Sequence, residues 1–145
     1  SNKGIASFAT ADFTVSSGAV SLQGVVVKTS DQNTFTKAQL ASTYTGSGLT
    51  LDLDTYQNFI LTLSAGSNSL ANPSTEASQI GQCGVIVFIQ PSSGNAGTVS
   101  LASDYETAES AGLTLSSANN DYDVVPYIVK ADNSILLGAP QLNFG

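Results

Sequence analysis

Eleven carboxylates and no histidine define the chemistry open to this 145-residue chain. Asp52 and Asp54 lie two residues apart, as do Asp121 and Asp123, the latter beside Asn119 and Asn120. On an extended backbone that spacing puts both members of a pair on one face. Two carboxylates about 5 to 9 Å apart can act as acid and base on a glycosidic bond, but they must flank a cleft. Neighbours on one strand instead line a solvated face, and this is the reading taken for both pairs. A calcium-type oxygen site is the alternative; calcium takes about six to eight oxygens, and no EF-hand spacing supplies them. The third cluster, Asp104, Glu106 and Glu109 around Tyr105, reads as the rim of a loop. As a recognition loop it would offer a tyrosine ring to stack on a sugar and acids to bond sugar hydroxyls or a basic partner. Tyr44 and Tyr56 could act in the same way or sit half-buried at sheet edges. The candidate ligand-binding set is therefore Tyr44, Tyr56, Asp104, Tyr105, Glu106 and Glu109.

Other chemistries lack their residues. Without histidine there is no imidazole acid or base, no His-dependent triad and no histidine zinc site. A single cysteine cannot build a four-cysteine zinc or iron–sulfur site, and Cys83, between Gly81 and Gly84, reads as a small buried residue at a strand entrance. GxGxxG, GxxxxGK and GxSxG are all missing from the sequence. The expectation is a non-enzymatic chain with no cofactor and no metal.

Charge narrows the partners. The formal net charge is −7, carried against four lysines and no arginine, so a basic stripe for phosphates is missing and no nucleic-acid partner is expected. An anionic membrane surface is disfavoured for the same reason. No stretch has the length of an apolar membrane-spanning helix, so no membrane insertion is expected. The start, SNKGIASFA, lacks the basic and sustained apolar regions of a signal peptide. Only 10% of residues are charged, well below the usual quarter. The surface must be built largely of hydroxyls, amides and glycines, and faces of that kind can meet identical copies without desolvating many ions.

The elements that must position these groups are strands. Phe13/Val15 and Val20/Leu22 alternate about a Ser17-Gly18 break, which predicts a small hairpin. Residues 30–48 are ambiguous between loop and a short helix near Thr36–Ser42. Leu49, Leu51 and Leu53 alternate with polar residues, as do Phe59, Leu61 and Leu63, and a turn is expected at Gly66-Ser67-Asn68. Ser74–Ile80 allows one turn of helix. Val85–Ile89 is an unbroken apolar run, the pattern of a strand buried on both faces. Val99 and Leu101 resume alternation, and Leu113 and Leu115 bracket Thr114. A long strand spans Tyr122–Lys130, where Pro126 predicts a bulge or an edge position. Ile135–Leu137 is the last apolar strand. The fold class expected is all-β: an antiparallel β-sandwich or jelly-roll-like domain with an N-terminal extended or hairpin segment. The boundaries expected are 1–29 for an attachment segment and 30–145 for the main domain. No solenoid or propeller period is visible.

Four segments carry a resemblance. GIASFATADFTVSSGAVSL, LDLDTYQNFILTLSAGSNSLANPS, GQCGVIVFIQPSSGNAGTVSLASDY and LTLSSANNDYDVVPYIVKADNSIL occur in this order. Their sequence resembles tail-fibre and minor structural proteins of tailed bacteriophages, especially marine ones. Asn72-Pro73, Gly84, Gln90 and Asp123-Val124 stand at the matching positions. The resemblance is strongest from Leu51 to Leu137 and departs after Asp104. There YETAESAG replaces the aromatic, basic and Gly/Pro-rich loop usual in such proteins.

The resemblance implies a virion component at a tail or fibre surface, made in the host cytoplasm and released by lysis. It also implies assembly as a homotrimer, contact with other virion proteins, and attachment to a host surface glycan or outer-membrane protein. It transfers no catalytic residue. A capsid decoration, adaptor or fibre-mounting module is the alternative function, and a polysaccharide-degrading enzyme a more distant one.

Overall fold

The structure, a computed structural model, describes residues 13–16, 19–22, 41–74 and 76–145. The chain divides into two compact units, Ser1–Ala38 and Gln39–Gly145. In the first, β1 (Phe13–Ser16) pairs antiparallel with β2 (Ala19–Leu22), Phe13 opposite Leu22. Of the ambiguous stretch 30–48, residues 30–40 lie outside the described residues, and the remainder is strand at Ser42–Gly46 and from Gly48 instead of loop or helix.

The second unit is mostly β, with two sheets and little helix. Its first half is a stack of strand pairs. β3 (Ser42–Gly46) leads through Ser47 into β4 (Gly48–Thr50), β5 (Phe59–Leu63) into β6 (Gly66–Ala71), and β7 (Cys83–Ile89) into β8 (Gly97–Leu101). In each pair the first strand joins one sheet and the second joins the other. β3, β5 and β7 lie parallel in a seven-stranded sheet, and β4, β6 and β8 lie parallel in a three-stranded one.

The seven-stranded sheet continues with β10 (Tyr122–Ala131), antiparallel to β7, then β11 (Ser134–Leu137) and the parallel β9 (Tyr105–Glu106). β12 (Gln141–Phe144) also pairs with β10. The antiparallel arrangement expected from sequence thus holds around β10 but not in the stacked pairs. Both faces of a parallel strand need cover, whereas period-two alternation carries no information about the direction of the neighbour.

One core lies inside both sheets, with Leu49, Phe59, Leu61, Leu70, Ile86, Phe88, Val125 and Val129 almost inaccessible. The Phe59 and Tyr127 rings meet tilted, centroids 6.1 Å apart, a favourable aromatic geometry. Several expectations change. Leu51 and Leu53 are buried as their alternation requires, yet the strand stops at Thr50. Asp52 turns the chain there, its carboxylate accepting from the Thr55 amide at 3.2 Å and its carbonyl from Tyr56 at 3.1 Å. Gly66 starts a strand instead of a turn. Leu113 and Leu115 pack on the core from an irregular segment. The helical turn is a short 3-10 piece, Glu76–Ser78.

Two corrections concern β7 and β10. Only Ile86 and Phe88 of the apolar run are buried; Val85 is exposed, and so is Cys83. Pro126 sits within a strand paired on both sides, opposite Val85 of β7, not at an edge. The Pro126 carbonyl accepts from Gly138, so the missing proline donor faces the gap between the end of β11 and the start of β12. Proline therefore forfeits only the single reciprocal bond to Gly138, just past the end of β11.

Candidate functional site

Asp104, Tyr105, Glu106 and Glu109 lie where the chain passes from β8 back to the seven-stranded sheet, and Tyr105 and Glu106 line a groove there. The groove measures about 560 Å³ and runs from Val99–Leu101 on β8 to Thr107–Leu113. Its polar lining is the hydroxyls of Ser100, Ser103, Thr107 and Ser110 with the Glu106 carboxylate. Leu101, Tyr105 and Leu113 form its apolar side.

The four candidates separate by role. Asp104 is buried; its carboxylate accepts from Ser103 Oγ at 2.9 Å and its amide donates to Asn72 Oδ1 at 3.1 Å. Asn72 Nδ2 donates in turn to Ser103 Oγ at 2.9 Å, tying the end of β6 to this turn. Asn72 is therefore a clamp on the site's backbone. Tyr105 is 7% exposed, and its hydroxyl donates to the Ala71 carbonyl at 3.2 Å. Burial, followed by the nearby Glu76 and Asp104 carboxylates, holds its phenol well above the ordinary range. Asp104 and Tyr105 thus brace the groove from within. Neither is the solvated rim residue expected.

Glu106 and Glu109 are on the outside. Glu106 accepts from Lys130 Nζ at 2.9 and 3.0 Å and from the Ser134 hydroxyl. These donors, Ser134 first, hold its carboxyl below the ordinary glutamate value. Glu109 and Ser110 take φ of 56° and 57°, left-handed backbone that costs a non-glycine residue about 1 kcal/mol or more. The loop is held shut at its base, where the Gly112 amide donates to Thr107 Oγ1 at 2.9 Å and the Ser110 amide to the Thr107 carbonyl at 3.0 Å. Strain kept in an exposed loop by bonds at its base presents Glu109 and Ser110 in one conformation. Conformational strain of this kind concentrates at functional loops.

Tyr44 and Tyr56 do not join this cluster. Tyr44 is on β3, the far end of the seven-stranded sheet, with β5, β7, β10 and β11 between it and β9. It is exposed at that edge. Tyr56 is half-buried in the turn after Asp52 and borders a smaller groove of about 270 Å³ with Asp54, Gln79 and Gln82.

The carboxylate pairs also have structural employment. Asp54 accepts from Gln79 Nε2 at 2.8 Å. Asp123 is not on a solvated face: it is fully buried and accepts from the Ser116 amide at 2.7 Å, Ser116 Oγ at 2.6 Å and the Asn143 amide at 3.0 Å. Two buried amides, Asn68 and Gln90, carry structural bonds that the sequence did not assign to them. Asn68 bonds Ser64 N and O and the Gly66 and Thr98 carbonyls, while Gln90 Oε1 and Nε2 engage Gly97 N and O. They hold the bends between β5 and β6 and between β7 and β8. The signal for Gln90 and Asp123 was their phase: Ile86, Phe88, Gln90 and Asp123, Val125, Tyr127 fall on inward positions of period two.

Among the described residues, no group of three or more cysteine, aspartate or glutamate side chains is arranged to hold a metal ion. Comparisons with protein-family models, curated proteins and solved structures found no match to this chain.

Proposed function

We propose that this chain is a structural domain of a tailed-phage virion, a tail-fibre component that contributes to host-surface attachment as a homotrimer. The observation that carries the attachment reading is the hydroxyl-lined groove beside the strained Glu109–Ser110 loop. Hydroxyls and a carboxylate above an apolar floor suit the alternating polar and apolar faces of a sugar. The surrounding acids support binding over catalysis: Asp104 and Glu106 are engaged in hydrogen bonds that hold the fold. Several copies would convert weak single-site contacts into avidity. The finer fold reading is a β-sandwich, supported by two sheets that share one core; parallel pairing in both sheets disfavours the jelly roll. Host surface glycan is the ligand favoured by the groove, and the location on this reading is the virion tail or fibre.

The test is binding of the full chain to bacterial lipopolysaccharide and capsular polysaccharide by biolayer interferometry. Glu109→Gln combined with Ser110→Ala is expected to weaken binding at least tenfold while the circular dichroism spectrum stays unchanged. Equal binding by the variant would remove the groove from the reading. A fibre-mounting or decoration module is the second reading, favoured by the engagement of the candidate carboxylates Asp104 and Glu106 in bonds within the fold. On that reading, neither polysaccharide nor whole cells bind and the chain docks only to virion proteins.

A further inference from the structure

The unbroken apolar run in β7 demands cover on two faces. Ile86 and Phe88 point into the core, while Val85, Val87 and Ile89 point the other way, and Val85 is 36% exposed. The strands alongside present the same outward chemistry. In β10 the outward residues Tyr122, Val124, Pro126 and Ile128 stand opposite Ile89, Val87, Val85 and Cys83. The row continues to Ile60 beside Val87 in β5 and to Leu136 beside Ile128 in β11. Tyr122 and Ile128 are each 41% exposed. An antiparallel sheet with one solvated face would show polar residues at these positions. With Val85, Tyr122 and Ile128 exposed by 36 to 41% and the residues between them half-buried, the face offers on the order of 400 Å² of apolar surface, the size of the largest patch on an ordinary monomer. A patch of that size is often a contact surface.

We propose that this outer face packs against another copy of the same chain. Charge decides for a copy over an unlike partner. The chain carries −7, yet the charged side chains on the strands of this face, Lys130 and Glu106, neutralise each other at 2.9 Å. A neutral face has no charge pattern with which to select a complementary partner. It is also where two acidic chains can approach with least mutual repulsion. The inference rests on the self-association in the reading above and names the face that carries it.

The experiment is the solution mass of the full chain by light scattering across a hundredfold concentration series, for the natural sequence and for Val85→Lys with Ile128→Lys. The expected result is a mass of two or more chains for the natural sequence and of one chain for the variant, with matching circular dichroism. Cys83 lies on the same face and serves as a probe; its rate of labelling by a thiol reagent is expected to fall at least tenfold from dilute to concentrated protein. If the variant misfolds, this labelling decides alone, and a rate independent of concentration overturns the proposal. A natural chain that stays a monomer overturns both the face and the self-association reading. An assembly that the two lysines leave intact overturns the face alone.

Discussion

The amide of Gly138 donates to the carbonyl of Pro126 at 2.8 Å, and a Cβ on residue 138 would stand 2.7 Å from the proline Cγ. The proline ring thus occupies the space that any side chain at 138 would need. Gly138→Ala is expected to cost about 1–3 kcal/mol through overpacking against a ring that cannot rotate away. Pro126→Ala in the same chain should recover more than half of that loss. A urea-denaturation double-mutant cycle measures it, and additive losses would show that the two residues do not share this space.

Gly84 gives a harsher case. A Cβ there would lie 2.0 Å from the Gln57 carbonyl oxygen and 3.0 Å from the Tyr127 ring. The clash is with backbone, so no rotamer relieves it, and Gly84→Ala should lose more than about 3 kcal/mol or fail to fold. At Gly48 a Cβ meets nothing within 4 Å, and Gly48→Ala should stay within about 0.5 kcal/mol. Thermal melts of the two variants side by side give the comparison.

Asn68→Ala would strip partners from Ser64, Gly66 and Thr98 at a buried bend. Each orphaned buried group costs about 1–3 kcal/mol, so a loss of about 3 kcal/mol or more is expected. Asn68→Asp should be at least as damaging, because it turns a second oxygen toward three carbonyls. Chemical denaturation of both variants tests the ranking; a milder aspartate would show that the carbonyls are not the partners that matter.

Acid should act through Glu106. Its carboxyl is held below the ordinary value of 4.5, by Ser134 first and Lys130 second. A depressed folded value means the stabilisation is complete above the unfolded value and disappears as pH falls through the folded one. A carbon-13 titration should place its midpoint below 4.5. Ser134→Ala should raise that midpoint more than Lys130→Met does, and the reverse order would reassign the cause.

At the alkaline end the sign reverses. Burial raises the phenols of Tyr105 and Tyr127 above 10.0, partly offset at Tyr127 by the Gln82 hydrogen bond. Unfolded chains therefore lose these protons first, and stability should fall as pH climbs past 10.0. Tyr105→Phe should flatten that fall while costing about 1 kcal/mol at neutral pH for the lost bond to Ala71. Urea midpoints taken from about pH 9 to 11 follow the slope, and an unchanged slope would remove Tyr105 as its source.

Much of the fold could be read from local pattern. The alternations through Leu49–Leu53 and Phe59–Leu63 gave the inward residues correctly, even where no strand forms after Thr50. The site was less legible. Asp104 and Tyr105 look like loop residues because they follow a serine and precede a polar run, yet the turn that carries them folds back onto the core. Their burial depends on Asn72 and Ala71, more than thirty residues earlier in the chain.

Residue types and spacing by themselves determined that the chain is built of strands, which side of most strands faces inward, and that imidazole chemistry is missing. A period of two reports one strand's two faces, and composition reports which groups exist. Tertiary structure alone decided that the first six strands of the second unit stack in parallel as pairs crossing between two sheets. It also decided that Pro126 lies inside a sheet, that Asp104 is buried, and that Val85 on the outer side of the Val85–Ile89 run stays exposed. The direction of a neighbouring strand, the place of a gap in its ladder and the cover over its second face belong to residues remote in sequence. Pairing energies between such segments leave no trace in the local pattern of either one.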